Sequence, residues 1–418
     1  MTQMNAKNIT QYDHPDHFLP LVPSEHISAH LYEKAGELIR RATQLGAMPT
    51  VGQRALRPLL RKMNSYYTNK IEGQHTRPSD IDRALVQDFS ENADIARKQR
   101  LAIAHIDAEV QCEQHIEQMV RDGGDQIGFL YSAEALQLIH KNLFEHVTPE
   151  DLLQPDGSVM IPGVFRTRNV AVGKHEAPTA TSLMAFMGRW GETYSRTRRG
   201  EASVIAIAAS HHRLAWVHPF LDGNGRTSRL HTHLLFHALG LSSGLWSPLR
   251  GFARSEDRYK ALLQAADEHR RGDLDGRGNL TERGLVDWID YVLDVCIDQI
   301  NFMSQNLKQE GLFDRIAASL AFDETTLKNG IRQEALRPLQ FLYSVQSEMT
   351  RAEFKELTGL GVRVATSLLS ALLKAGYLES DSPHGNIRFG IPRHALRFYF
   401  PALWPEAEQD QALIANSR

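Results

Sequence analysis

The stretch His218-Pro219-Phe220-Leu221-Asp222-Gly223-Asn224-Gly225-Arg226-Thr227-Ser228-Arg229 lies between two helical patterns, residues 202–217 and 227–239. It therefore predicts a loop that leads the chain into the N-terminus of a helix. Backbone amides at a helix N-terminus have no intrahelical partner, and small residues such as Gly223 and Gly225 leave these amides accessible to phosphate oxygens. We interpret the stretch as a phosphate-binding loop.

Four side chains of this loop have the chemistry that phosphoryl or nucleotidyl transfer requires. His218 titrates near neutral pH and can act as a general base. Asp222 offers a hard oxygen ligand for Mg²⁺. Arg226 and Arg229 supply two guanidinium groups that can bind phosphate oxygens. A base, a metal ligand and fixed positive charge around a phosphate cradle are the recurring parts of such sites.

Other motifs for nucleotides and metals do not fit the sequence. The segment 223–228 lacks the third glycine of a dinucleotide fingerprint, no strand precedes it, and the chain has no Gly-x-x-x-x-Gly-Lys loop. The residues His231, His233 and His237 follow the loop, but no His-Glu-x-x-His pattern contains them. We interpret these three histidines as packing and surface residues.

Composition excludes several broad classes of protein. The chain has 418 residues, enough for two to three domains, and 42% hydrophobic and 23% charged residues are globular values. A net charge of −3 argues against a protein devoted to non-specific nucleic-acid binding. Cys112 and Cys296 give no disulfide framework and no CxxC zinc site. We see neither a signal peptide nor an apolar run that spans a bilayer, and we expect a cytoplasmic protein without membrane contact.

Helical spacing of apolar residues dominates the rest of the chain, so we expect a mainly α fold. The exception is residues 149–178, which are rich in proline and glycine, and whose short alternating piece 169–172 suits a strand or hairpin. Helices are predicted at residues 26–45, 52–67, 94–120, 132–147, 182–194, 202–217, 227–239, 255–269 and 281–305.

The C-terminal part has the pattern of a winged helix-turn-helix. Thr350 and Glu353 form a capping box, which marks the start of a helix. The predicted elements after residue 331 are a helix through 341–345, a helix from 350, a turn at 358–361, a second helix at 362–374, and strands at 377–379 and 387–390. Residues 331–405 carry nine basic and six acidic residues, a net +3. DNA binding is allowed but not favoured, and we favour a protein-docking or homodimer role.

The stretch 218–229 resembles, at every defining position, the signature of the Fic family, His-x-Phe-x-Asp/Glu-Gly-Asn-Gly-Arg-x-x-Arg. The likeness extends over residues 18–305, including His212 before the loop and Gly163–Pro178 as a flap. Family members fold as a helical core with a β-hairpin flap and typically transfer AMP from ATP to a protein hydroxyl. The resemblance therefore implies a protein adenylyltransferase that uses ATP and Mg²⁺. Its expected acceptor is a Ser, Thr or Tyr hydroxyl of a target protein and of itself.

The resemblance also assigns roles to individual residues. His218 would deprotonate the incoming hydroxyl, Asp222 would hold Mg²⁺, and Phe220 would anchor the loop by packing. The nucleotide-binding residues that it implies are Gly223, Asn224, Gly225, Arg226, Thr227, Ser228 and Arg229 in the loop, Val172, Gly173, Lys174 and His175 on the flap, and Tyr259 and Asp267 near the nucleoside.

A second motif resembles the inhibitory sequence of the family, Ser/Thr-x-x-x-Glu-Gly/Asn. It is Thr68-Asn69-Lys70-Ile71-Glu72-Gly73, at the end of a helical stretch. Residues four apart share a helix face, so Thr68 and Glu72 can both point into the site. The Glu72 carboxylate would then pair with Arg229 and occupy the position of the γ-phosphate.

We predict four parts of the chain: an N-terminal helical region with the inhibitory motif (1–120), a Fic core (121–305), a linker (306–330) and a winged-helix domain (331–418). Two alternatives remain open for the function. One is a nucleotide-sensing transcriptional regulator that uses the winged helix. The other keeps the chemistry but changes the donor nucleotide or reverses the reaction, with Glu72 supporting the removal of AMP.

Overall fold

The computed structural model describes residues 11–47, 50–154, 156–173, 175–197, 200–242, 244–307 and 309–400. This part of the chain is mainly helical, as predicted. The α-helices are α1 (Glu25–Gly46), α2 (Thr50–Ile71), α3 (Pro78–Ala84), α4 (Ala93–Arg121), α5 (Gln126–Leu130), α6 (Ala133–Phe144), α7 (Leu183–Ser195), α8 (Gly200–Val217), α9 (Asn224–Ala238), α10 (Leu249–Arg254), α11 (Glu256–Ala266), α12 (Glu282–Asn306), α13 (Gln309–Phe322), α14 (Leu336–Ser344), α15 (Arg351–Thr358), α16 (Val362–Ala375) and α17 (Leu396–Tyr399). The strands are β1 (Ala171–Val172), β2 (His175–Glu176), β3 (Leu378–Glu379) and β4 (Arg388–Phe389).

The described residues fall into two compact units. The first contains the described residues up to 42 together with 62–242 and 247–299. The second contains those of 43–61, of 243–246 and from 300 onward. The phosphate-binding loop, the flap and the inhibitory motif all belong to the first unit.

Helix α8 forms the centre of the first unit. Its valine, isoleucine and alanine residues lie on all of its faces, and nearly the whole helix is buried, as expected for a helix that is apolar all round. Two buried indoles hold it in place, one from α7 and one from α12. Trp190 donates to the carbonyl of Ser210 at 3.1 Å and Trp288 to that of Ala208 at 2.7 Å. The core therefore fixes the end of α8, where His218 follows.

The flap is a two-stranded antiparallel hairpin. In its register Ala171 faces Glu176 and Val172 faces His175. Gly173 has a φ of 60°, a left-handed conformation that glycine adopts at no steric cost, and this allows the tight turn. The strand predicted at 169–172 is thus present but shorter.

The segment 306–330, predicted as a linker, contains a helix in the structure. Helix α13 is followed by a π-helical turn at Asp323–Leu327. Leu312, Ile316 and Leu320 recur every four residues and are fully buried, which is the signature of an amphipathic helix. The helix was not predicted, and the assignment of the segment as a linker between domains stays a prediction.

The second unit also contains the elements predicted for its C-terminal part, in the predicted order. Helices α14, α15 and α16 are followed by the antiparallel pair β3 and β4. The capping box of Thr350 and Glu353 begins α15 as expected, and Phe354 and Leu368 lie in the core of this region. The assignment of these elements to a winged helix stays a prediction.

Two remaining sequence features concern thiols and membranes. Cys112 and Cys296 are both buried free cysteines. Among the described helices, none is by itself both long and apolar enough to cross a bilayer, although the bent pair of α15 and α16 meets these two criteria when taken together.

Candidate active site

The loop that begins at His218 starts with a sharp change of backbone direction. His218 has a φ of 52°, in the left-handed region that few residues other than glycine enter. Its backbone N–H still donates to the carbonyl of Leu214 at 3.1 Å, so the residue closes α8 while its side chain leaves the helix. The chain then re-enters a helix at Asn224, three residues earlier than the apolar pattern predicted.

A buried arginine ties this turn to the base of the flap. Arg166 is 3% exposed, and its guanidinium donates to the carbonyls of His218 at 2.8 Å, Arg168 at 3.0 Å, Pro178 at 2.5 Å and Val217 at 3.3 Å. Burial lowers its pKa to about 10, so it remains charged at neutral pH. Sequence reasoning placed Arg166 in the flap pattern but gave it no role, because each of these acceptors is a backbone atom.

The imidazole of His218 is in the protonation state that a general base needs. Burial, and secondly the electrostatic interaction with His175, lower the pKa of His218 to about 4, although a hydrogen bond with the backbone of Ala215 acts in the opposite direction. The ring is therefore neutral at pH 7 and can accept a proton. His218 also lines the cavity described below.

Phe220 anchors the loop in the way the sequence predicted, with a partner that the sequence did not reveal. Its ring is fully buried and stacks on the imidazole of His140 with 3.9 Å between the ring centroids. The side-chain amide of Asn224 accepts a hydrogen bond from the backbone N–H of Phe220 and donates to its carbonyl, both at 2.9 Å. Asn224, expected to contact phosphate, thus uses its amide to brace the loop, since the turn leaves these backbone groups without other partners.

His140 supports the loop from α6. Its Nδ1 accepts a hydrogen bond from the backbone N–H of Gly163 at 2.8 Å, and its Nε2 donates to the carbonyl of Asp222 at 3.1 Å. Burial lowers its pKa to about 4, so the ring is neutral. Nothing in the sequence indicated this role, because a single histidine in an amphipathic helix has the pattern of a core residue.

Two glycines of the loop are required by close contacts. Gly223 has a φ of 77°, and a Cβ there would lie 2.4 Å from the ring of Phe144. A Cβ on Gly225 would lie 2.4 Å from Oε1 of Glu72 and 3.0 Å from Nη1 of Arg229. Any larger residue at position 225 would therefore displace the two charged groups beside it.

The two residues that follow Gly225 do not line the cavity. The guanidinium of Arg226 lies 4.6 Å from the centroid of the Phe144 ring and 3.8 Å from the carboxylate of Asp222. Thr227 donates from its hydroxyl to the carbonyl of Gly223 at 2.9 Å, a bond within the first turn of α9. The residues of the loop that do line the cavity are His218, Asn224, Gly225, Ser228 and Arg229.

Arg229 is held by both residues of the motif at the end of α2. Its Nη2 donates to Oε1 of Glu72 at 2.5 Å, and its Nε donates to the hydroxyl of Thr68 at 2.8 Å. Thr68 is fully buried and Arg229 is 1% exposed. The pairing expected from the sequence is thus present in the structure.

Electrostatics keep both members of this pair charged. Burial acts to raise the pKa of Glu72, but the guanidinium groups of Arg229 and Arg226 outweigh it, and the pKa lies below its ordinary value. Burial likewise acts to lower the pKa of Arg229, and the Glu72 carboxylate reverses this, so that the pKa is raised. The site therefore contains a carboxylate and a guanidinium in contact at neutral pH.

Residues from α11 and the segment after it complete one wall of the cavity. Tyr259 is buried, shares a hydrogen bond of 3.0 Å with Nε2 of His211, and also bonds to Arg229. Asp267 pairs with Nε2 of His212 at 3.1 Å. Tyr259 and Asp267 both line the cavity, as the sequence led us to expect.

The flap forms another wall. Val172, Gly173 and His175 line the cavity, and Nε2 of His175 is bonded to the carbonyl of Trp216 at 2.7 Å. Lys174 lies outside the described residues. The cavity has a volume of about 1500 Å³, larger than the roughly 300–1000 Å³ of common small-molecule sites. Lining residues that the sequence did not indicate include Tyr12, Trp216, Lys260, Leu263, Gln264 and His269.

Asp222 fits the role of a magnesium ligand. Its side chain is 51% exposed, and only Oδ1 is engaged at short range, by the backbone N–H of Gly223 at 2.6 Å. A carboxylate with unused lone pairs beside a helix N-terminus is suited to a cation that also contacts phosphate oxygens.

The fold and the site together define a helical domain in which a glycine-containing loop leads into a helix N-terminus, beneath a β-hairpin. Residues 130–236 match the family model described as Fic/DOC family. Residues 130–236 therefore form a Fic domain, which confirms the resemblance over this part of the chain.

Curated relatives share this domain. Proteins named "Protein adenylyltransferase Fic", and hence nucleotidyltransferases, include one from Drosophila grimshawi, 32% identical over 137 residues, which covers 32% of this chain and 25% of the relative. One from Aedes aegypti is 28% identical over 205 residues, 48% of this chain and 36% of the relative. The chain thus spans about a quarter to a third of the length of these relatives. A fragment of Fic-1 from C. elegans, 17% identical, shares the fold with a TM-score of 0.50 over 68% of this chain and 75% of that chain.

Proposed function

We propose that this protein transfers AMP from ATP to a Ser, Thr or Tyr hydroxyl of a target protein and of itself. The observation that carries the proposal is that the imidazole of His218, the N-terminus of α9 and the side chain of Arg229 line one cavity. A base, a phosphate cradle and a positive charge are then available to one bound nucleotide. The adenylyltransferase names of the relatives support AMP as the transferred group.

The residues divide the work as follows. His218 accepts the proton of the acceptor hydroxyl, whose oxygen attacks the α-phosphorus of ATP. The amides at the start of α9 stabilise the negative charge that develops on the phosphate oxygens. The Arg229 guanidinium binds the γ-phosphate, and pyrophosphate leaves as the new bond forms. Mg²⁺ held by Asp222 would supply charge neutralisation between the α- and β-phosphates.

The flap aligns the acceptor segment. Val172 is 46% exposed, and β1 pairs only with β2 among the described strands. The outer edge of a two-stranded hairpin offers unpaired backbone groups, which a target segment in extended conformation can use by strand addition. An acceptor segment bound in this way would bring its hydroxyl close to His218, which lines the same cavity as the flap.

Glu72 inhibits the reaction by occupying the γ-phosphate position. Its carboxylate is in contact with Arg229, so a γ-phosphate that approaches the same guanidinium meets a like charge. ATP then binds with its phosphates displaced from the productive position. Thr68 supports the inhibited state because it orients the Arg229 guanidinium toward Glu72.

Intact-mass spectrometry after incubation with ATP and Mg²⁺ tests this proposal. The proteins are wild type, Glu72→Gly, Glu72→Gly with His218→Ala, and the control Glu91→Gly, which removes an exposed glutamate that does not line the cavity. We expect an AMP adduct in Glu72→Gly, little in wild type and in Glu91→Gly, and none when His218 is also replaced. An adduct that persists without His218, or equal adducts in wild type and Glu72→Gly under saturating ATP, would contradict the mechanism.

The nucleotide preference is tested in the same way. Glu72→Gly is incubated separately with ATP, GTP, CTP and UTP, and the mass of the adduct identifies the transferred nucleotide. We expect AMP to predominate. An adduct with the mass of GMP, CMP or UMP, formed at an equal or greater rate, would replace AMP in the proposal and leave the roles of His218 and Glu72 intact.

For the C-terminal elements we propose a protein-docking or homodimer role. The net charge of +3 over residues 331–405 is small, and α16 offers few basic side chains for a nucleic-acid backbone. A mobility-shift assay with the full chain and mixed-sequence duplex DNA, at physiological salt, is expected to show no complex. A complex in the nanomolar range, together with base-sequence preference, would favour the regulator alternative.

A further inference from the structure

A cluster of acidic and histidine side chains lies in the first unit, outside the cavity described above. Glu109 and Glu113 are one turn apart on α4, and His233 is on α9. Each offers one ligand atom, and these atoms all lie within 4.8 Å of one another. Nε2 of His233 is 3.1 Å from Oε1 of Glu113 and 3.6 Å from Oε1 of Glu109.

These separations are those of ligands around a zinc ion. Zinc binds imidazole nitrogen and carboxylate oxygen at about 2.0–2.2 Å, so two ligands of a tetrahedral site lie roughly 3.3–3.5 Å apart. The two measured separations from His233 lie on either side of this range. An ion would therefore need only small side-chain shifts to bond to all three residues.

Burial makes a cation favourable at this place. Glu109 is 1% exposed, and Glu113 and His233 are each 3% exposed. Two carboxylates close together in a low-dielectric interior repel each other, and a divalent cation between them would cancel their charge. Asn64 donates from Nδ2 to both oxygens of Glu109, at 3.0 and 3.2 Å, which orients that carboxylate as outer partners of metal ligands do.

A fourth side chain at the cluster is a second, independent observation. His105 lies one turn before Glu109 on the same face of α4 and is 1% exposed. Neither of its ring nitrogens has a hydrogen-bond partner among the described residues, and its Nδ1 faces Oε2 of Glu109 at 3.9 Å. A buried imidazole without hydrogen bonds is costly, and a metal ion would use one of its nitrogens.

We propose that Glu109, Glu113 and His233 bind a structural Zn²⁺. His105 lies next to the fourth coordination position of the ion, which one of its ring nitrogens would occupy. The ion would tie α4 to α9 one turn beyond Arg229, so that it fixes the helix into which the phosphate-binding loop leads. The site is separate from Asp222 and takes no part in the transfer reaction. Sequence reasoning treated His233 as a packing residue because its partners on α4 are 120 residues away and form no local motif.

The test compares the zinc content of three full-length proteins: wild type, Glu113→Gln and the matched control Glu117→Gln. Each is stripped with a chelator, reloaded with Zn²⁺ alone in the absence of nucleotide, freed of excess ion and measured by mass spectrometry for metals. Glutamine at position 113 can still accept the hydrogen bond from His233 but is a much weaker ligand. Glu117 lies one turn further along α4, and its side chain is 39% exposed.

We expect one zinc per chain in wild type and in Glu117→Gln, and at least about tenfold weaker zinc binding in Glu113→Gln. Zn²⁺ is expected to raise the melting temperature of wild type and Glu117→Gln but not that of Glu113→Gln. No bound zinc in wild type, or the same zinc in Glu113→Gln, would overturn the site and favour a protonated His233 between the two carboxylates. Should Glu113→Gln fail to fold, the visible spectrum of Co²⁺-loaded wild type decides. Strong absorption of four-coordinate Co²⁺ is expected, and the weak absorption of the six-coordinate ion would overturn the site.

Discussion

Arg229 is buried to 1% exposure, yet the side chain of Glu72, whose carboxylate it contacts at 2.5 Å, remains one third exposed. The guanidinium is therefore the fixed partner, and the anion in front of it is the replaceable one. A buried guanidinium needs an anion, since an unpaired charge in the interior is strongly unfavourable. Glu72 and a phosphate group can satisfy this need in turn, which makes the pair a natural point of competition between inhibition and catalysis.

Glu72→Gln removes the charge of this anion while nearly preserving its shape. Without the like charge, the γ-phosphate can reach Arg229, so we expect the initial rate of AMP transfer to rise at least about tenfold, equivalent to roughly 1.4 kcal/mol. The rate is measured at subsaturating ATP, with Glu91→Gln as the control. A rate within twofold of wild type would show that the carboxylate charge does not inhibit.

Arg229→Ala tests whether the same guanidinium serves both states. The single variant loses the anchor of Glu72 and the γ-phosphate ligand together, so release of inhibition brings no gain in rate. In the Glu72→Gly background we expect Arg229→Ala to lower the transfer rate at least about tenfold, because a charge-assisted contact to phosphate is lost. Transfer by Arg229→Ala as fast as that of Glu72→Gly would remove Arg229 from the reaction.

His218 is expected to titrate far below an ordinary histidine. Its pKa is lowered to about 4, so the ring is neutral, and competent as a base, at every pH above this value and loses that competence as the pH falls through it. NMR of the free protein with selectively labelled histidine measures this pKa directly, and His218→Ala identifies the signal. A midpoint between about 6 and 7, the usual range for histidine, would contradict the burial of the ring.

Arg166→Lys tests the connection between the flap and the loop. Lysine keeps the charge but cannot donate to four carbonyls in the directions that the guanidinium reaches, so we expect a loss of about 2 kcal/mol or more in the free energy of unfolding. The control Arg168→Lys changes a side chain that is 45% exposed and pairs with Asp156 at the surface, where the expected loss is below about 1 kcal/mol. Thermal unfolding of the two variants is compared. Equal melting temperatures would show that the hydrogen bonds of Arg166 do not stabilise the connection between the flap and the loop.

The sequence predicted those parts of the site that short motifs carry. The turn from α8 into α9 is local along the chain, and the pairing of Glu72 with Arg229, 157 residues apart, was expected because two short motifs resemble those of the Fic family. By contrast, His140 contacts the carbonyl of Asp222 across 82 residues. Such contacts to backbone atoms leave no pattern of residue types, so only the folded chain reveals them.

The same distinction explains what the sequence did not reveal. Asn224 lines the cavity, and its role at the phosphates stays a prediction, but the bonds of its side-chain amide to the backbone of Phe220 depend on the geometry of the turn. The helix α13 was missed, although Leu312 and Ile316 carry its apolar spacing. The bonds of Asn224 depend on tertiary geometry, which the sequence does not encode locally. The apolar spacing of α13, by contrast, is visible in the sequence itself.

The most direct test of the central claim follows the position of a label. Glu72→Gly is incubated with Mg²⁺ and ATP that carries radioactive phosphorus at either the α- or the γ-position, and protein-bound label is measured together with released pyrophosphate. We expect protein-bound label from the α-position only, with one pyrophosphate released per label. His218→Ala is expected to abolish both the labelling and the release of pyrophosphate. Label from the γ-position, or α-label that does not depend on His218, would contradict the central claim.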